Sequence, residues 1–306
     1  MIINKDCIKQ LKSLPDDIFD SCVTDPPYHL ASIVKRFGPG QKPINNRDTK
    51  MGREGPYHRA ATGFMGQTWD GGDISFKTKI WKEVFRVLKP GSVLLAFAAT
   101  RNYHRLAVAI EDSGFEIFDM INWIYGSGFP KRKNLLKPAH EPIVVARKGV
   151  NKELNLDECR VPSTDIDNSK NWHSNREKQE YENTKNIYKL GMKKISSKQN
   201  EKGRYPSNVI HDGLEEDWSK YFYCSKASKK EKGDTEHPSV KPINLMRYLI
   251  KLVTRKKGTV LDPFAGTGTT GEAAILEGRQ YYLIEKNKKY FKDIKNRVGK
   301  YNKHFI

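Results

Sequence analysis

Apolar residues along the chain fall into two alternating kinds of pattern. Short, nearly unbroken apolar runs occupy residues 21–24, 92–98, 116–125, 142–146, 259–261 and 281–284, with a brief apolar start at 1–3. Runs of this length bounded by turn residues predict buried strands. Between them, Ile8, Leu11 and Leu14, then Ile80, Val84, Val87 and Leu88, then Leu245, Leu249 and Leu252 repeat at helical spacing, and residues 103–111 and 270–277 also read as helices. Lys89-Pro90-Gly91 is expected to stop the second helix and turn the chain into strand 92–98. Strands alternating with helices predict an α/β fold with a mostly parallel sheet.

Two stretches break the alternation. Residues 29–72, rich in Gly, Pro, Arg and Asn, read as a long loop, and loops of that length inside a compact domain usually serve function. Its Arg36, Arg47, Arg53, His58 and Arg59 suit either DNA contact or a solvated surface. Residues 150–205 are rich in Asn, Lys, Glu and Ser and hold too few aliphatics for a large core, so they must lean on something else for order. Apolar mass returns with Tyr205, Val209, Ile210, Trp218 and the run 221–223. The chain therefore divides into 1–149, an inserted module over 150–225, and 226–306. With a nucleic-acid partner the insert would reach the groove through Arg160, Arg176 and Arg204; without one it is a disordered insertion.

Composition sharpens the partner. The 306 residues carry 55 Lys+Arg against 36 Asp+Glu, a net charge of +19, which points to a polyanion with nucleic acid leading. A Lys-rich bias accounts for part of that excess, and Lys over Arg fits phosphate attraction better than bidentate base reading. Cys7, Cys22, Cys159 and Cys224 stand apart without close His partners, which argues against a metal centre and a disulfide framework and for a reducing cytoplasm. The first residues lack a signal-peptide core, and no apolar run approaches the roughly 20 residues of a membrane span.

Chemistry concentrates at two distant turns. Strand 21–24 runs into Asp25-Pro26-Pro27-Tyr28. Two prolines force the chain out of the sheet, remove backbone donors and hold the preceding residues extended, leaving a carboxylate, a carbonyl and an aromatic face together. That group suits a planar ring with an exocyclic amine: the acceptors take its N–H bonds and Tyr28 stacks on it. A plain strand-ending turn would look the same in isolation. The second turn, Asp262-Pro263-Phe264-Ala265-Gly266-Thr267-Gly268-Thr269, leaves strand 259–261 and enters a helix. Its glycines permit close backbone approach and the helix start favours a negative group, but neither a dinucleotide fingerprint nor a P-loop lysine is present, so a carboxylate fits better than a pyrophosphate. The next strand ends on Glu285, about 20 residues beyond the glycines, where an acid can hold a ribose diol. Ribose, carboxylate and close backbone approach together describe S-adenosyl-L-methionine.

With these pieces in view the chain resembles the amino-methylating DNA methyltransferases of adenine N6 or cytosine N4, in the beta-class order where DPPY precedes the cofactor motif. The matching segments are DPPY at 25–28, LKPGSVLLAF at 88–97, GSGFPK at 126–131, HPSVKP at 237–242 and LDPFAGTGTT at 261–270. They span nearly the whole chain except the middle. GSGFPK and GRYPSNV-like stretches are similar to those of phage and prophage enzymes.

The resemblance implies a circularly permuted, Rossmann-like, seven-stranded methyltransferase sheet with a target-recognition region inserted at 150–225, a catalytic half at 1–149 and a cofactor half at 226–306. It makes Asp25, Pro26, Pro27 and Tyr28 catalytic. It assigns S-adenosyl-L-methionine to Asp6, Asp25, Ser239, Lys241, the turn 262–269 and Glu285, with Asp6 on the adenine. It makes double-stranded DNA the partner, with Phe129, Lys131, Arg132, Arg160 and Arg204 as contacts. No metal is needed, a homodimer is compatible, and the expected setting is the cytoplasm of a bacterial or phage-infected cell, with restriction-modification the natural context. In the implied mechanism the base leaves the duplex, Asp25 and the Pro26 carbonyl accept its amino hydrogens, and the methyl group transfers directly. A cytosine C5 mechanism would need a Pro-Cys nucleophile, and none of the four cysteines follows a proline. Asp at position 25 leans toward adenine, because Ser is frequent there in cytosine N4 enzymes. Cytosine N4 transfer, an RNA or protein methyltransferase, and a non-catalytic DNA-binding protein are the alternatives.

Overall fold

A computed structural model describes residues 1–28, 73–125, 136, 138–149, 154–161, 203, 205–211, 224, 226–232, 235, 237 and 239–301. The loop 29–72, most of the insert, and Phe129, Lys131, Arg132, Arg176 and Arg204 lie outside the described residues.

The strands are β1 (Ile2–Ile3), β2 (Phe19–Thr24), β3 (Leu88–Phe97), β4 (Glu116–Ile124), β5 (His140–Arg147), β6 (Val209–His211), β7 (Thr259–Asp262) and β8 (Gln280–Ile284). They form one sheet in the order β1-β8-β7-β2-β3-β5-β4-β6. Only β5 runs antiparallel, against both β3 and β4. The sheet has eight strands where seven were expected. The extra one, β6, comes from the insert and pairs in parallel with β4.

Helices cover both faces. The helices α1 (Cys7–Lys12), α2 (Thr78–Val87) and α3 (Tyr103–Glu111) pack on one face, where Leu11, Trp81 and Ile110 meet Leu94 and Ala96 of β3. On the other, α4 (Ile243–Val253) and α5 (Thr269–Leu276) meet Val93, Leu95 and Phe97, the alternate residues of the same strand. Strict alternation in a strand buried on both sides reads as an unbroken apolar run. A last helix, α6 (Lys288–Gly299), lays Ile294 and Val298 against Leu283 of β8. Asp6 caps α1 by accepting from the Lys9 N–H at 3.2 Å, and Asn287 caps α6 by accepting from that of Lys289 at 2.9 Å. Helix α5 sits so close to β8 that a Cβ at Gly271 would lie 2.6 Å from Leu283 Cδ1.

The stretch 89–91 is not the turn expected of it. Helix α2 ends at Val87 and β3 begins at once, with Leu88 paired to Phe19 and a register shift between Phe19 and Ser21. An irregularity of this kind lets a strand absorb a Pro-Gly pair near its start. The left-handed Gly91 (φ 77°) is part of it.

Residues 155–158 are fastened to the end of α4 and to Arg279, just before β8. Asn155 bonds the Leu252 and Lys251 carbonyls at the end of α4 through its N–H (2.8 Å) and Nδ2 (2.9 Å). Arg279, only 4% exposed, donates to Glu158 at 2.5 Å and to the Thr254 carbonyl through Nε and Nη2. No helix among the described residues is long and apolar enough to cross a membrane. Arg279→Ala strands the buried Thr254 carbonyl and removes the anchor of the insert, and is expected to cost about 3 kcal/mol of stability in urea unfolding.

Candidate active site

Strands β2 and β7 are neighbours in parallel, with Ser21 opposite Val260 and Cys22 opposite Leu261. The two chemically interesting turns therefore leave the sheet side by side at its carboxyl edge, where open α/β sheets bind ligands. One buried side chain ties them together. Asp262 accepts from Thr24 Oγ1 at 2.7 Å, from its own turn through the Phe264 N–H at 3.0 Å, and from Thr270 Oγ1 at 2.5 Å. These bonds join the end of β2 to the start of α5. Through them Asp262, expected to hold cofactor, organises the turn. Burial raises its pKa to about 6, helped by the charge of Asp25 and against its three hydrogen bonds.

Gly266 (φ 51°) and Gly268 (φ 82°) take left-handed backbone in the second turn. Gly268 is the N-cap of α5, and the Gly266 N–H points to Glu285 Oε2 at 2.9 Å. Glu285 Oε1 accepts from the Asn287 N–H at 2.7 Å. Each oxygen keeps capacity for a further donor. Burial pushes this carboxyl up to about 7 in spite of those bonds. A Cβ at Gly266 would lie 3.4 Å from His237 Nε2, so the imidazole lies against this turn. The ring stands edge-on to Tyr290, and Nδ1 accepts from the Ser239 N–H at 3.3 Å. Burial, then the charge of Lys241, lowers His237 to about 4, which keeps it neutral at ordinary pH. Pro263, Ala265, Thr267 and Thr269 are buried, Phe264 is half-buried, and Phe264 packs near Trp81. Asp6 stands just beyond β1, the neighbour of β8, with its carboxylate on the α1 cap and 3.7 Å from Lys286.

The first turn is buttressed from below. Ser75 Oγ donates to the Pro27 carbonyl (2.7 Å), and the Ser75 carbonyl accepts from Trp81 Nε1 (2.7 Å). Asn102, at the start of α3, donates to the Tyr28 carbonyl at 2.6 Å. The Pro26 carbonyl meets no donor among the described residues. Tyr28, the prolines, Phe97 and Asn102 line a small recess at this turn.

Above it lies a charged cluster. Lys241 Nζ is 2.5 Å from Asp25 Oδ2, 3.2 Å from Tyr28 Oη and 3.2 Å from Glu141 Oε2. Tyr28 Oη donates to the same Glu141 oxygen at 3.1 Å. Burial opposes the Lys241 charge, but Asp25 and Glu141 outweigh it and raise its pKa. Burial, with the same two carboxylates, pushes the Tyr28 phenol well up, so it remains a donor. Asp25 Oδ1 is buried and has no hydrogen-bond partner among the described residues. A buried acceptor left unsatisfied is costly and marks a place where a ligand donor belongs.

Lys241, expected at the cofactor, thus lies on the Asp25 turn, while Ser239 is exposed two residues before it. Arg160 is a correction: its guanidinium reaches Asp157 (2.7 Å), the Gly203 carbonyl (2.9 Å) and the face of Tyr205, and its side chain is 7% exposed. Donors spent inside the protein are not offered to phosphate. Ser75, Asn102, Glu141 and His237 were missed as site residues. His237 sits in the HPSVKP motif and Glu141 one residue before the expected strand 142–146, but only the sheet brings them to the two turns. Among the described residues no cluster of His, Cys, Asp and Glu could hold a metal ion.

Residues 19–296 match the family described as DNA methylase, of N6/N4 type. The Type II methyltransferase M.HindIII of Haemophilus influenzae is 28% identical across 97% of this chain and 94% of its own length. The Type II methyltransferase M.HpaI of Haemophilus parainfluenzae is 26% identical across 97% of this chain and 73% of its own. In fold, the chain is similar to the crystal structure of an M1.HpyAVI–SAM complex (TM-score 0.54, 18% identity, 97% of this chain and 98% of that one). It is also similar to PvuII DNA methyltransferase, cytosine-N4-specific (TM-score 0.56, 17% identity, 97% and 85%).

Because Glu285 is more easily kept protonated in the folded chain than at its ordinary value of 4.5, its stabilising effect is complete below that value and is lost as pH rises through about 7. Chemical denaturation across this range should show stability falling with pH, and Glu285→Gln should flatten the slope near 7.

Proposed function

This chain belongs to the N6/N4 DNA methylase family, and we propose that it transfers a methyl group from S-adenosyl-L-methionine to the exocyclic N6 of an adenine rotated out of double-stranded DNA. The single observation that carries the reading is the buried Asp25 Oδ1, which has no hydrogen-bond partner among the described residues, next in the chain to the Pro26 carbonyl, which meets no donor among them. Two acceptors on neighbouring residues match the two hydrogens of an amino group, and the ring of Tyr28 offers a stacking face. The Type II relatives support a place in restriction-modification.

The residues present fit the donor. Glu285 is an acceptor suited to a ribose diol, and Gly266 and Gly268 give the turn the left-handed backbone that brings its Gly266 N–H to Glu285. Asp6, at the end of the neighbouring strand β1, is the residue proposed for the adenine ring. When bound, S-adenosyl-L-methionine supplies an electrophilic methyl group on a sulfonium centre.

The protein's own work is positioning and electrostatics. Asp25 Oδ1 and the Pro26 carbonyl take the amino hydrogens and turn the nitrogen lone pair out of conjugation with the ring. As nitrogen gains its new bond, the proton it must shed lies on a hydrogen bond to Asp25 Oδ1. Tyr28, tied through its hydroxyl to Glu141 and through its carbonyl to Asn102, holds the ring plane. Rotating the base costs a few kcal/mol of unstacking, which contacts to the duplex must offset. The excess of Lys supplies a sequence-independent share of them.

The adenine assignment rests on Asp rather than Ser at position 25. Nucleoside mass spectrometry of DNA incubated with the protein and methyl-labelled donor should find N6-methyladenine. N4-methylcytosine would overturn the choice of base, and unlabelled DNA the transfer itself. Asp25→Ala should abolish transfer while leaving donor binding, read by equilibrium dialysis, within a few-fold of wild type.

A further inference from the structure

Three oxygens surround the Lys241 ammonium within 3.2 Å: it donates to Asp25 Oδ2 and Tyr28 Oη and forms an ion pair with Glu141 Oε2. The group is buried on the faces of Phe97 and Tyr28, 4.8 and 5.4 Å from their ring centres, so water is a poor substitute for any of the three. With these three oxygens around it the lysine is held off the other oxygen of Asp25, and that oxygen, Oδ1, is buried and has no hydrogen-bond partner among the described residues. Glu141 comes from β5, a strand that carries none of the recognised catalytic residues.

We propose that Glu141 is a positioning residue for methyl transfer, acting through Lys241: by occupying one of its hydrogens it keeps the lysine off Asp25 Oδ1 and so keeps that oxygen open to the target amine. The same Glu141 oxygen accepts from Tyr28 Oη at 3.1 Å, so one atom sets both the lysine and the stacking ring. Without that acceptor, the freed N–H turns to the nearest oxygen in need of a donor, which is Oδ1. The lysine then bridges the carboxylate and competes with the base. The inference rests on the proposed methyl transfer at Asp25 but makes a separate claim about β5.

The requirement is for an acceptor atom, and a glutamine carbonyl, with two lone pairs, can meet both donors. In single-turnover assays with saturating DNA and donor, Glu141→Gln is expected to stay within about fivefold of wild type. Glu141→Ala is expected to fall on the order of 100-fold, the scale of a misplaced catalytic group, with donor affinity unchanged. Adding Lys241→Met to Glu141→Ala should recover part of the lost rate, because the competitor for Oδ1 is gone; a merely structural role for Glu141 would make the two losses add. An alanine variant as fast as wild type, a glutamine variant as slow as alanine, or a double variant slower than Glu141→Ala overturns the proposal. If Glu141→Ala does not fold, Glu141→Gln alone decides, since a 100-fold loss there is incompatible with it. Wild-type protein that transfers no methyl group to DNA would instead overturn the function on which the proposal rests.

Discussion

The hydrogen bond from Thr24 Oγ1 to Asp262 is the joint on which the site depends. It links residues that are 238 apart in sequence, at the ends of two strands that lie side by side. In a parallel arrangement neighbouring strands finish at the same edge, so their following turns must share it. Asp262 then carries the link onward, through Thr270, to the first turn of α5. A buried carboxylate with three hydrogen bonds holds its neighbours in one arrangement, and the glycine turn inherits that arrangement. The Asp25 turn and the glycine turn are thereby parts of one edge.

Charge is distributed along that edge in an ordered way. Toward β8, Glu285 and Asp262 are carboxyls raised by burial and held by backbone and hydroxyl donors. Toward β3 and β5, Asp25 and Glu141 share a buried ammonium. His237 lies between, neutral, against the Gly266 turn. Lys241 and His237 come from one segment, four residues apart, and reach both halves of the site. His237 and Lys241 therefore tie the Gly266 turn to the Asp25 turn. Glycine is required at Gly268 for the sign of φ and at Gly271 for the close approach of Leu283.

Much of the architecture was legible because it is written in local patterns. Helix α3 spans the residues its periodicity marks, and β2, β7 and β8 fall on their apolar runs. Strand β3 starts four residues before the expected 92, because tertiary pairing of Leu88 with Phe19 overrides the local turn signal of Pro90-Gly91. Strand β6 could not be seen: three residues in a polar insert carry no periodicity and become a strand only by adding to β4. The site followed the same division. Asp25, Tyr28 and the glycine turn stand in short motifs with a chemical reason for each residue. Glu141, Asn102 and Ser75 are ordinary polar residues until the sheet brings them to Tyr28 and Pro27. Arg160 went the other way, since a positive charge in a basic insert suggests a phosphate partner, and folding gave it Asp157 and Tyr205 instead.

The most direct test of one shared site is a crystal structure of the chain with a donor analogue that carries an amine in place of the sulfonium. The account predicts the ribose hydroxyls on Glu285, the backbone of Gly266 to Gly268 against the analogue, and its reacting end directed at Asp25 Oδ1. An analogue seated on the glycine turn with that end directed away from Asp25, or bound in another part of the fold, would contradict it.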